Sequence, residues 1–114
     1  MVIAKKGAFF EISHISGPTG HNALLVSFIE EAQKDPVMPT VESLPPIGNS
    51  RHGPLISSDI LRETIAGIDE GNQTFGTHYR VKHVQYIEND TPREGIYRYL
   101  AFKLIEHLAH SATS

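Results

Sequence analysis

The sequence predicts an α+β two-layer sandwich, a small three- to four-stranded sheet with two helices on one face. Three observations lead there. Strand-like segments rich in Phe, Ile, Leu and Val come early in the chain, and helical spacing of apolar residues comes only later. The last third then runs from a strand through a helix start into an amphipathic helix. Helices that come late and cover one side of a sheet make two layers, and the other sheet face stays partly open.

Residues 8–16 alternate loosely and carry Phe9, Phe10, Ile12 and Ile15, which suits a strand. Gly17, Pro18, Thr19 and Gly20 make a turn, because proline presets φ and glycine accepts positive φ. Residues 21–29 include Ala23, Leu24, Leu25, Val26, Phe28 and Ile29, apolar enough for a central strand. Residues 8–29 therefore read as an antiparallel hairpin.

Residues 30–57 hold Pro36, Pro39, Pro45, Pro46 and Pro54 with Gly48 and Gly53, and show no helical period. They read as a Pro-rich loop or an edge strand. Structureless loops beyond about 12–15 residues are uncommon in compact domains. Edges tolerate proline, so residues 37–44 suit a short edge strand and residues 47–54 a loop tip.

Residues 58–110 read as helix, strand, helix. Ser57, Ser58 and Asp59 offer N-cap oxygens, and Ile60, Leu61, Thr64, Ile65 and Ile68 follow at helical spacing. Gly71 or Gly76 can end that helix. Residues 77–87 form the strand. Thr91, Pro92 and Glu94 make a capping box with proline at the first helical position. Tyr97, Leu100, Ala101, Leu104, Ile105 and Leu108 are the apolar side of the last helix, while Arg98, Lys103, Glu106 and His107 fall mainly opposite.

With 114 residues, the chain is expected to form a single domain, residues 1–114. Its composition is ordinary for a globular protein, 39% hydrophobic and 20% charged. A formal charge of −3 gives no net attraction to nucleic acid or anionic membranes. Cysteine is absent, which excludes disulfides, thiol nucleophiles and thiolate metal sites. No apolar run approaches the ~20 residues of a membrane span. Met1, Val2, Ile3, Ala4, Lys5 and Lys6 lack a secretory apolar stretch, so a cytoplasmic location without membrane association is expected.

The run Ala66, Gly67, Ile68, then Gly76, the strand to Ile87, Asp90, Thr91, Pro92, Gly95 and Ile96, and a helix containing Ala101, Phe102 and Lys103 resembles domain IV of translation elongation factor G. The resemblance covers roughly residues 57–108. It implies the ribosomal protein S5 domain 2-like fold and a left-handed βαβ crossover, against the usual hand. Thr91 and Pro92 stand where that family has two serines, and no GTPase domain is present, so no elongation activity carries over.

Three sets of residues invite chemistry. His21 in the glycine-bearing turn, with Arg51 and His52 in the later loop, would suit acid–base work on a phosphate-bearing or nucleotide substrate. Plain turns and surface loops are the commoner reading of such segments. His107 and His110 with Glu106 on the last helix suggest a metal, but one helical pair is not a site, and cations near a helix C-terminus are favoured anyway. On the strand, Tyr79, Val81, His83, Gln85 and Ile87 share one face, and Arg80, Lys82, Val84 and Tyr86 the other. If the first face lies under the helices, Arg80, Lys82 and Tyr86 make an open surface for a protein or, less favourably in an acidic chain, for RNA.

No catalytic motif is complete and no cofactor or metal is expected. The sequence thus points to a small non-catalytic binding protein acting through an open sheet face. Its partner would be another protein, a second copy of itself or RNA. The alternative is a small enzyme using His21, Arg51 and His52.

Overall fold

A computed structural model of the chain describes residues 2–16, 20–29, 38–46, 55–87 and 95–112. They form one mixed sheet of five strands with two helices packed on it. Strands β1 (Val2–Lys6), β2 (Phe9–Ser16) and β3 (Gly20–Phe28) make an antiparallel meander. Strand β4 (Thr40–Leu44) lies at the opposite edge, and helix α1 (Ser57–Phe75) crosses over from it. Strand β5 (Val81–Ile87) then inserts between β3 and β4, antiparallel to β3 and parallel to β4. Helix α2 (Ile96–Ala112) follows, and the spatial order is β1-β2-β3-β5-β4.

The sheet is larger than the three or four strands expected. The additional strand is β1, whose Val2, Ile3, Ala4, Lys5 and Lys6 have no apolar alternation. Only Ile3 among them packs against the core. Gly7, at φ +62°, makes the tight turn that brings Lys6 opposite Phe9.

The core lies between one sheet face and both helices. Ile12, Leu24, Val26, Val84 and Tyr86 from the sheet meet Ile60 and Ile68 of α1 and Tyr97, Leu100, Leu104 and Ile105 of α2. The registers Ile12↔Leu24, Leu24↔Tyr86 and Val26↔Val84 put these residues on the same side. A bulge interrupts the alternation in β5. Ser27 faces His83 and Phe28 faces Val81, so Lys82 has no opposite residue on β3. The extra residue lets Val81 join the core while Lys82 stays exposed.

Helix α1 starts without a side-chain cap: Ile56 is the N-cap, and its carbonyl accepts from the Asp59 and Ile60 amides. The serines and aspartate expected to cap lie inside the helix instead. The Ser57 hydroxyl reaches the Tyr86 hydroxyl at 2.6 Å, and Asp59 pairs with Arg62 at 2.9 Å. Gly76, at φ +69°, ends the helix with its amide on the Asn72 carbonyl. The Asn72 side chain also holds the connector to β5. It accepts from the Thr77 hydroxyl at 2.8 Å and the Tyr79 amide at 3.1 Å, and donates to the Tyr79 carbonyl at 2.9 Å.

The expected cap residues of the last helix, Thr91, Pro92 and Glu94, lie outside the described residues. The helix starts at Ile96, directly after Gly95 at φ +78°, a backbone conformation that an α-helix cannot contain.

Candidate functional site

Neither helix packs on the second sheet face. Alternation and register place Lys6, Phe9 and Glu11 there from β1 and β2, His83 and Gln85 from β5, and Thr40 and Glu42 from β4. The parallel pairs Thr40↔His83 and Glu42↔Gln85 bring the polar members together. Thr40 Oγ1 lies 2.5 Å from His83 Nδ1, and His83 Nε2 lies 3.6 Å from Glu42 Oε1. Gln85 Nε2 donates to the same Glu42 oxygen at 2.7 Å. The Phe9 ring meets the imidazole edge-on, 5.7 Å between centroids. Lys6 Nζ is 3.2 Å from the Glu11 carboxylate.

Hydroxyl, imidazole and carboxylate in sequence is the order of a nucleophile with its base and the base's orienting group. Here all three rise from the helix-free sheet face, where the Glu42 side chain is 56% exposed and the His83 side chain 26%, although Leu25 and Ser27 of β3 on the same face are buried. Water therefore competes for the bonds to Glu42, while the imidazole is better shielded. The arrangement can hold donors and acceptors at fixed positions across β4 and β5.

The structure separates the residues expected to form the open surface. Tyr86 is only 4% exposed, lies under the helices and bonds Ser57 through its hydroxyl. The expectation of an open-face tyrosine is thus corrected: Val84 and Tyr86 carry the buried side of β5, and His83 and Gln85 the open side. Lys82 is exposed at the bulge. Arg80 precedes the strand, its carbonyl accepting the Ile29 amide at 2.8 Å. With Ile29, Pro39, Ile65, Asp69 and Tyr79 it lines a cavity of about 300 Å³ beside α1.

For the catalytic alternative, Arg51 and His52 lie outside the described residues. His21 is in β3, opposite Ile15. His107, His110 and Glu106 line a groove beside β1, and no cluster of three or more metal-binding side chains occurs among the described residues. In that groove Glu106 hydrogen-bonds Lys103, and the bond and the negative charge together hold the ammonium above its ordinary titration range.

Sequence reasoning missed Thr40 and Glu42 because their role depends on which strand lies beside β4. An alternating pattern does not encode a parallel neighbour that follows in the chain after a helix. The signal available was the parity of His83 and Gln85, which puts both on one face whichever face is open.

Compared with known proteins, the chain matches no family model, no curated sequence and no solved structure.

Proposed function

We propose that the chain is a non-catalytic binding protein that engages a protein partner through the helix-free face of its sheet. The observation that carries this reading is the polar set Thr40, Glu42, His83 and Gln85, bonded to one another on a face that neither helix covers. Side chains already held by cross-strand bonds lose little further freedom on binding, so more of each new contact becomes affinity. The Phe9 ring beside them adds apolar area of the kind found at interface centres.

A protein suits this face better than RNA. Lys6 is neutralised by Glu11, and Glu42 adds a negative charge, so the face has little to offer a phosphate backbone. The burial of Tyr86 removes the ring that would have stacked on a base. The S5 domain 2-like assignment and the cytoplasmic location belong to the same reading. The parallel β4–α1–β5 unit supports the first, and the absence of cysteine is in keeping with the second.

A photoreactive side chain at position 85 tests the face, with the same group at position 98 on α2 as the control. A protein captured only from position 85 is then purified and titrated against the wild type, Glu42→Arg and Gln85→Arg. Saturable binding weakened about tenfold or more by each substitution is expected. Binding indifferent to both would remove the face from consideration. Turnover of the captured protein that is lost in His83→Ala would overturn the non-catalytic assignment.

A further inference from the structure

The free edge of the sheet at β1 has an unusual make-up. Its outer side pairs with no described strand, and Val2 on it is 64% exposed. Between β1 and α2 runs an open groove of about 650 Å³ lined by Ile3, Tyr99, Lys103, Glu106, His107 and His110. Tyr99 is itself 46% exposed. Two of the four large hydrophobic residues exposed among the described ones therefore sit at this edge.

We infer that a second copy of the chain docks here, β1 pairing antiparallel with β1 about a two-fold axis through Ala4. The two sheets then become one continuous sheet. This inference rests on the β1 edge alone and is independent of the function proposed for the open face.

Lysines on an edge strand usually discourage pairing. In β1 they instead select one register. A two-fold axis at Ala4 opposes Val2 to Lys6 and Ile3 to Lys5, so every residue of the strand has a partner and no lysine faces a lysine. Moving the axis to Lys5 sets Lys5 against Lys5, and like charges directly opposite are destabilising. Moving it to Ile3 pairs only Val2, Ile3 and Ala4 and leaves both lysines beyond the ladder.

The charges in the groove agree with the same register. Ile3 and Lys5 lie on the helix side of β1, opposite Ile12 and Phe10. Opposed residues in an antiparallel pair project to one face, so Lys5 of the second copy emerges beside Ile3, over the groove that Glu106 lines. Glu106 then lies between Lys103 of its own chain, at 3.1 Å, and the incoming lysine. The two-fold repeats the contact, so each dimer has two such pairs. The exposed Val2 is covered by the aliphatic stem of Lys6 from the other copy.

Sedimentation velocity on the full chain tests the dimer, with charge exchange as the probe. The wild type is expected to dimerise. Lys5→Glu and Glu106→Lys should each weaken the dimer about tenfold, and the double variant should restore it. Because the chain has no cysteine, a disulfide can report the register even if a charge variant folds poorly. Ala4→Cys should cross-link to itself under mild oxidation, whereas Lys6→Cys, far from its own copy in this register, should not. A wild type monomeric at its highest soluble concentration overturns the proposal. So does a dimer untouched by the single variants, one not restored by the double variant, or equal cross-linking at both positions.

Discussion

Gly67 and Gly71 face α2 where the two helices come closest. A Cβ at Gly67 would stand 2.2 Å from the Arg98 carbonyl oxygen and 2.7 Å from the Ala101 Cβ; one at Gly71 would stand 2.7 Å from the Ile105 Cβ. Gly67→Ala gains up to about 1 kcal/mol of helix propensity. The obstacle at Gly67 is backbone, which cannot rotate away, so the helices must move apart and the packing beneath them loosens. A net loss of about 2 kcal/mol is expected, read as a lower urea midpoint; an unchanged midpoint would mean that the helices do not meet this closely. Asn72→Ala leaves the Tyr79 amide and carbonyl without the side chain that held them. It should cost about 1–2 kcal/mol in the same measurement. Neither role was legible in the sequence, where Gly71 read as a helix end. A glycine needed for close approach looks like any other until the facing helix is known.

The helix-forming stretches were legible as elements, because their apolar spacing declares them. Their ends were less so. Ser57 looks like a cap, but its hydroxyl is used by Tyr86, and α1 starts from Ile56 with no side-chain cap. Among the described strands, β3 is flanked on both sides, by β2 and β5, whereas β1 and β4 each have one described neighbour. Pro39 just before β4 and Pro45 and Pro46 just after it have no amide hydrogen to donate, which suits a short edge. Hydrogen exchange should therefore be faster at β4 and β1 amides than in β3. If the β1 edge joins a second copy, β1 should slow with rising protein concentration while β4 does not. Equal rates across all strands would contradict the sheet order itself.

At the scale of the whole molecule, the class of fold was legible and the open face of β5 was not. Neither face of that strand is cleanly apolar in the sequence, since Tyr79, Val81 and Ile87 weigh one side and Val84 and Tyr86 the other. The bulge at Lys82 settles the contest by moving Val81 across to join Val84 and Tyr86. One extra residue opposite β3 thus decides which surface the molecule shows. The sheet order has a further consequence for how the chain is made. Strands β1 to β4 are synthesised before β5, yet in the described sheet β5 is the strand that pairs with both β3 and β4. A growing chain that has reached the end of α1 lacks the strand that pairs with both β3 and β4, so the edges those two strands turn towards β5 have no partner yet. The last strand to be made is thus the one that closes the sheet, and until it arrives the nascent protein presents two sticky edges instead of a finished surface.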